Sequence, residues 1–559
     1  MVKTSCLLRP LYISLFLACS LSGHTQSVAA LSQSWQWSVA VEGGKTNADA
    51  TAWLWIPPGC KKVRAVIVAQ NNMEEISILE NPSFRTKMAA LDFAEIWISP
   101  LFDHKFRFTE GAGVIFNSMM QRLSETSGYT ELNYCPIVPI GHSAAASWPY
   151  YFAAWNPGRT LACLSVSGQW PYFRHPSYAP DIWSKDQQID FIPSLETMGE
   201  YEDADTWSAE GLKERTDHPF MPLSMLACPA EGHFAATQKK IDYLALFITK
   251  AAQYRLPAND IPEGPPVLRA IDPTRTGWLM DKWRYNQQPT ASPAPVGQYK
   301  GDTTAAFWFF DEELVRATEK YEAGYRNQQA LLLGYIQDGK MAPQHNTHLQ
   351  VSLRWLPLAD GIGFVLKGGF LDTVPGESPR LASWTGKKPG AAVTHPDQVN
   401  MIRIDRVTGP FRKINDTLFQ LALSKGLSKA QHNYPLTFIA TWPGDDRYKP
   451  AAQQAELIVP LENTEGQQQH ISFPAIGDQP ATVTHLQLNA TASSGLPVHY
   501  YVVSGPAIVD GDRLFFTPIP PRSRWPVKVT VVAWQYGRSL EPKVRTAAPV
   551  PQTFFISKN

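Results

Sequence analysis

Between residues 34 and 255 the chain alternates short apolar runs with stretches whose apolar positions recur every three or four residues. SWQWSVAV and TAWLWIPP predict an opening antiparallel pair of strands, and VRAVIVAQ, AEIWISP, PIVPIGHS and LACLSVSG predict four strands buried on both faces. Helical character lies in GAGVIFNSMMQRLSETSG, in the stretch after Ser143, and in KKIDYLALFITKAAQYRL, which Pro257 closes. Strands interleaved with amphipathic helices predict a mainly parallel sheet covered on both faces, an α/β domain over residues 31–256.

The pattern changes at residues 257–300, which are rich in Pro, Gly and Thr, and FDEELVRATEKYEAGYRNQQ predicts one helix beyond them. QALLLGYIQDG, LQVSLRWLPL, GIGFVLKGGFL, MIRIDRVTG and TFIATW then predict strands. Residues 257–465 therefore read as a linker and β-rich middle region whose fold the pattern does not specify. Over residues 466–559 short strands recur about every ten residues with Gly and Pro between them, the spacing of a small β-sandwich. FPAIGDQPATVTHLQLNATASSGLPVHYYVVSGPAIVDGDRLFFT resembles the immunoglobulin-like modules appended to many secreted bacterial enzymes, which implies a spacer or contact role.

Composition removes several function classes. A length of 559 residues exceeds one core, and 44% hydrophobic with 18% charged residues excludes disorder for most of the chain. Fifty basic residues balance fifty acidic ones, so no net field draws nucleic acid or anionic lipid. Lys3 and Arg9, then LYISLFLACSL, then Ala29 and Ala30 read as an export signal over residues 1–30, which places the protein outside the cytoplasm, secreted or periplasmic. That run is too short to span a bilayer, and no later segment approaches about 20 apolar residues, so no stable membrane insertion is expected. Cys19, preceded by Phe16, Leu17 and Ala18, keeps a lipid-anchored form as the alternative. Cleavage leaves Cys60, Cys135, Cys163 and Cys228; the last three lie in or beside apolar runs, where buried free thiols are the expected state, with a disulfide left open. No pair has metal-ligand spacing.

The chemistry concentrates in VPIGHSAAASWPYYFAAW. Ser143 stands between an apolar strand and a helix, on a turn so sharp that the positions two away must be small, as Gly141 and Ala145 are. Such a turn lifts the hydroxyl above the strand end and aims the N–H of Ala144 at a developing oxyanion. A serine hydroxyl needs an imidazole within reach. His142 adjoins it, but neighbouring side chains on such a turn diverge, so a lining or structural role is expected there. MPLSMLACPAEGHF reads as a late strand leading to His233; His175 and His218 also follow the serine, without a strand before them. IPSLETMGEYEDADTW ends a strand at Gly199 and then offers Glu200, Glu202, Asp203 and Asp205. VRAVIVAQNNMEE ends in Gln70, Asn71, Asn72 and Met73.

These segments together resemble the serine esterases of the α/β-hydrolase superfamily, over roughly residues 34–255. The resemblance implies the chain order serine, acid, histidine, with Ser143 as nucleophile, His233 as base and Glu202 as acid. Glu200 or Asp203 could take the acid's place, whereas Glu231 is two residues from His233 on one tight loop. It further implies an oxyanion hole from Ala144 together with the N–H groups of Asn71 or Asn72. GHSAAA departs from the commoner second glycine, and the Asn71–Asn72 loop departs from the usual His-Gly. Acyl transfer of this kind requires no metal and no organic cofactor.

Eighteen tryptophans are many, and Trp148, Trp155, Trp170 and Trp183 fall near predicted strand ends. SGQWPYF, with Gln169 and Trp170, is expected at the pocket edge together with His142. Export, appended β modules and aromatic richness resemble exported bacterial esterases that remove acyl or methyl groups from polysaccharides. The expected partner is thus a polysaccharide or small ester. A general esterase or lipase, a serine peptidase, and a non-catalytic carbohydrate-binding protein on the same fold are the alternatives, and the oligomeric state is left open.

Overall fold

The structure, a computed structural model, describes residues 34–172, 189–257 and 264–558. The export signal with Cys19, and His175 and Trp183, lie outside the described residues.

Eight strands form one sheet: β1 (Trp37–Ala40), β2 (Thr51–Trp55), β3 (Ala65–Gln70), β4 (Phe93–Ser99), β5 (Ile137–His142), β6 (Cys163–Val166), β7 (Ser194–Gly199) and β8 (Leu223–Cys228). Their spatial order is β1-β2-β4-β3-β5-β6-β7-β8. The pairs β1–β2 and β2–β4 are antiparallel, and every pairing from β4 through β3 to β8 is parallel. This is the mainly parallel sheet expected from the apolar runs.

The period of two along β3 divides the interior into two cores. Ala65, Ile67 and Ala69 face the helices Pro82–Ala90 and Gln238–Arg255, whereas Val66 and Val68 face Ala112–Ser127. Helix Trp148–Trp155 contributes to both cores, with Tyr150 and Ala153 in one and Trp148, Tyr151 and Phe152 in the other. Because all six residues of β3 are buried, both faces of the sheet depend on these helices for exclusion of water.

The apolar core does not stop at residue 256. Leu279 and Met280 from Trp278–Asp281, Phe307, Trp308 and Phe309 from Ala306–Phe309, and Leu314 and Val315 from the helix Glu312–Glu322 join the core under β8. Ser224 of β8 donates its hydroxyl to the carbonyl of Trp308, and the N–H of Ala227 donates to Glu322. The first part of the supposed linker thus packs as an extension of the α/β unit.

Beyond it, residues 331–460 build a separate core around a four-stranded sheet of Val351–Leu353, Ala451–Pro460, Asn433–Trp442 and Arg403–Thr408. The C-terminal residues form several small sheets, one of four strands and one of three closing on Leu514, Val529, Val531 and Phe554. They are tied back to the α/β unit: Trp53 donates its indole N–H to the Val503 carbonyl at 2.7 Å, and the N–H of Gly505 donates to the Trp35 carbonyl. Cys60, Cys135, Cys163 and Cys228 are all buried free thiols, each pushed up to about 12 by burial. Among the described residues no helix is long and apolar enough to cross a membrane.

Candidate active site

Ser143 sits at the carboxyl end of β5 with φ 53°, a left-handed conformation that costs a non-glycine residue about 1–3 kcal/mol. The turn can close because its flanks are small. A Cβ on Gly141 would lie 2.1 Å from the backbone oxygen of Ala145 and 2.8 Å from the ring of Trp148. Trp148 then anchors the following helix by donating its indole N–H to the Ile140 carbonyl at 2.9 Å. Ser143 is half-buried and Ala144 exposed at the turn's tip, so the hydroxyl remains open to a solute.

The loop after β8 brings His233 to this turn, with Nε2 2.8 Å from Ser143 Oγ. At that distance the hydroxyl donates to an imidazole whose own proton sits on Nδ1. Nδ1 faces Oε2 of Glu202 at 3.3 Å, an ion-pair distance at the long end for a hydrogen bond. The loops carrying His233 and Glu202 touch directly: a Cβ on Gly199 would meet the Glu231 carbonyl at 2.5 Å, and the N–H of Tyr201 donates to that carbonyl.

The other acids of these loops are committed elsewhere. Glu200 pairs with the buried Lys449 and accepts the N–H of Ala230. Asp203 is the left-handed residue opening the helix Ala204–Asp217. Glu231 is held by Lys239, Lys240 and Tyr321. His218 stacks on Tyr172, with ring centroids 3.8 Å apart.

The middle region completes the surroundings of the acid. Arg380 pairs with Oε1 of Glu202, and His348 places Nδ1 3.4 Å from Oε2. Trp384 donates its indole N–H to the Tyr201 carbonyl, and the Tyr201 hydroxyl donates to the Pro450 carbonyl. Burial opposes a charged Glu202, but hydrogen bonds from His233 and His348 and the Arg380 guanidinium outweigh it and hold the carboxyl well below the usual carboxylate range. Burial lowers His233 below its ordinary value; Glu202 opposes that shift, and His348 and Arg380 add to it. Such an array can hold a neutral imidazole against a serine hydroxyl and stabilise the imidazolium formed when the proton moves.

Three expectations are corrected. The backbone N–H groups of Asn71 and Asn72 are not available to an oxyanion, because Asn71 donates to the Ile98 carbonyl at 2.8 Å and Asn72 to Glu75 Oε2 at 2.9 Å. His142 does not line a pocket. It is fully buried, its Nε2 donates to the His233 carbonyl at 2.9 Å, and burial lowers its pKa far below the ordinary value. Trp170 is also fully buried, stacked on Phe307 with 7° between planes and donating to the Trp207 carbonyl. Gln169 is half-buried next to Gly168, where a Cβ would lie 1.9 Å from the Cβ of Ala146, so that loop does run beside the nucleophile turn.

Sequence reasoning missed Glu75, which ties this end of the sheet together. Its carboxylate accepts the N–H groups of Asn72, Met73 and His142, joining the loop after β3 to the end of β5. The signal was present in NNMEE: an acid at the start of a short helix accepts free N–H groups of that turn. Glu74 beside it is fully buried and pushed up to about 8 by burial, and Glu75 to about 7. His348 and Arg380 had no local signal.

No family model matches the chain, and no curated protein matches it in sequence. Among solved structures it is similar to the fluorophosphonate-binding serine hydrolase F of Staphylococcus aureus, at 13% identity over 40% of this chain and 98% of that one, with a TM-score of 0.27. It is also similar to a hyperthermophilic esterase from the archaeon Pyrobaculum calidifontis, at 12% identity over 41% of this chain and 91% of that one, with a TM-score of 0.28. A Bacillus cereus carboxylesterase matches at 11% identity over 37% of this chain and 97% of that one, with a TM-score of 0.26.

Proposed function

We propose that this chain is an exported serine hydrolase that cleaves carboxylic esters, acting on acyl or methyl esters of polysaccharides. The observation that carries the reading is the single line of contacts from Ser143 Oγ to His233 Nε2 at 2.8 Å and from His233 Nδ1 to Glu202 at 3.3 Å.

In the first half-reaction Ser143 Oγ bonds to the ester carbonyl carbon while its proton passes to His233 Nε2. The tetrahedral adduct expels the alcohol, which takes that proton from the imidazolium, and an acyl-serine remains. Water then repeats the sequence, delivering a hydroxyl to the acyl carbon and returning the proton to Oγ. The anion of each adduct needs a donor, and the N–H of Ala144 at the turn's tip is the one assigned here. No cofactor enters any step.

The extended-substrate part of the proposal rests on a cleft of about 800 Å³ beginning at Asn71, Asn72 and Met73. Asn72 donates its side-chain amide to the carbonyl of His142, the residue before the nucleophile, although neither Ser143 nor His233 is among the residues that line the cleft. Its walls come from all three regions, with Trp97, Phe411 and Tyr501 among them and Arg406, Arg412 and Lys425 interspersed. Polar and charged groups along the walls suit sugar hydroxyls, and a length shared by three regions suits a chain rather than a single small ester. The C-terminal sheets, read as an immunoglobulin-like module, supply one wall.

A fluorophosphonate probe should label the native chain at Ser143, and purified protein should release acid or methanol from acetylated, feruloylated or methyl-esterified polysaccharide. Labelling without release from any polysaccharide, alongside turnover of p-nitrophenyl acetate, would reduce the reading to a general esterase. Cleavage of peptide instead of ester would replace it with a peptidase.

A further inference from the structure

We propose that Glu202, His233 and His348 form a binding site for a zinc-class divalent cation, and that the bound ion switches off His233 as a base. The inhibitory half of this proposal rests on the hydrolase reading above; the cation site itself does not.

One ring nitrogen each of His233 and His348 and a Glu202 oxygen lie within 4.8 Å of one another. The two nitrogens stand 3.3 and 3.4 Å from the same atom, Glu202 Oε2. Four-coordinate zinc with bonds of about 2.0–2.1 Å has ligand-to-ligand edges of about 3.3–3.4 Å. Two edges, from Oε2 to each Nδ1, therefore match those of a tetrahedral face. Two imidazoles and a carboxylate also select chemically, since nitrogen donors favour zinc and its neighbours over magnesium or calcium.

Three further features make the face usable. The imidazole centroids are 4.5 Å apart with 28° between planes; because each nitrogen lone pair lies in its ring plane, the exposed His348 ring must rotate out of the stack for both to reach one ion. His348 is half-exposed, at 50%, which gives an entry path and leaves the fourth position to water. Arg380 engages the other carboxylate oxygen, Oε1, and lies 3.4 Å from His348 Nε2, while Oε2 faces the two Nδ1 atoms. The same guanidinium repels a cation, so the site should bind reversibly, more weakly than a closed structural site.

The consequence follows from tautomers. Opposite Ser143, His233 keeps its proton on Nδ1 and offers the Nε2 lone pair to the hydroxyl. An ion on Nδ1 requires that nitrogen's lone pair; the Nδ1 proton leaves to solvent, and a neutral ring regains one on Nε2, with no net proton change at His233. Nε2–H then donates to Ser143 Oγ and has no lone pair to take its proton. The nucleophile stays protonated for as long as the ion is bound.

Calorimetric titration of the full-length Ser143→Ala protein with zinc chloride tests the site without any need for turnover. The expected result is one ion per chain, no comparable uptake of magnesium, and affinity weakened at least about tenfold when His348→Ala is added. His348→Gln provides the same loss in a chain of nearly unchanged side-chain volume. In the wild-type chain, turnover of p-nitrophenyl acetate should fall with the midpoint of binding and return with EDTA. The proposal is overturned if millimolar zinc gives no heat, if both His348 variants bind as before, or if turnover persists at saturation. A chain that turns over no ester sinks the hydrolase reading and the inhibitory role, and leaves the cation site to be decided by the titration alone.

Discussion

Arg380 pairs with Glu202 across 178 residues of sequence, and the two come from different parts of the molecule: Glu202 from the loop after β7, Arg380 from a short helix of the middle region. The pair fixes one carboxylate oxygen and turns the other toward His233. A serine–histidine–acid array on the sheet thus takes part of its support from a region that carries neither the serine nor the histidine.

Arg380→Met should therefore impair an intact fold. Freed from its partner, Glu202 loses orientation, and kcat should fall about 10–100-fold, as small misplacements do. Losing that positive charge should also move the acidic limb of kcat/KM to higher pH, because Arg380 disfavours a charged His233. A variant with unchanged turnover and an unmoved limb would count against the positioning role.

At the nucleophile, Ser143→Ala should lower kcat by about 10⁴–10⁶-fold with thermal stability retained or raised, since the strained residue loses only a hydroxyl. Gly141→Ala should behave differently: its Cβ meets a backbone oxygen at 2.1 Å, which no side-chain rearrangement relieves, so both activity and melting temperature should drop. Equal stability of Gly141→Ala and wild type would contradict the described turn.

The pH profile should rise with a midpoint below the ordinary histidine value of about 6.5. Burial, with help from His348 and Arg380, pulls His233 down against Glu202, so the neutral base is already present in mildly acidic solution. Measured kcat/KM should be flat through neutrality, and a midpoint above about 7 would reverse the assigned shift.

Glu202→Gln and Glu200→Gln should separate catalysis from stability. The first removes the anion facing His233 and should cost about 10³–10⁴-fold in kcat, with some loss of stability because Arg380 and His348 lose the same carboxylate. The second leaves the buried Lys449 ammonium without its carboxylate and should cost about 1–3 kcal/mol in urea unfolding with turnover near normal. The opposite pattern would exchange the two roles.

Glu74 should give stability a pH dependence of its own. Its folded pKa is raised to about 8, so below the unfolded value both states hold the proton, and between that value and about 8 only the unfolded state ionises. Its contribution is therefore complete at low pH and lost as pH rises through that window. Glu74→Gln should gain stability relative to wild type between pH 5 and pH 8 in parallel urea titrations. A difference that does not change with pH would show that Glu74 titrates normally.

The eight strands, the helices Ala112–Ser127, Trp148–Trp155 and Gln238–Arg255 and the Ser143 turn were legible in the sequence because their causes are local, whereas Pro82–Ala90 and Ala204–Asp217 were not read as helices. A strand-length apolar run must be buried on both faces, and a turn that forces a serine to φ 53° tolerates only small flanking residues, as Gly141 and Ala145 are. His233 and Glu202 were reachable because each follows a recognisable strand. The fates of Asn71, Asn72, His142 and Trp170 were not, since a polar or aromatic side chain near a strand end reads the same whether it faces a ligand or another part of the chain. Only the packing decided that Glu75 takes the Asn72 N–H, that His142 turns inward to the His233 carbonyl, and that Phe307 covers Trp170. Arg380 and His348 lie beyond any local pattern, because the field around Glu202 depends on which distant charges the fold brings within a few ångströms, and sequence separation does not encode that distance.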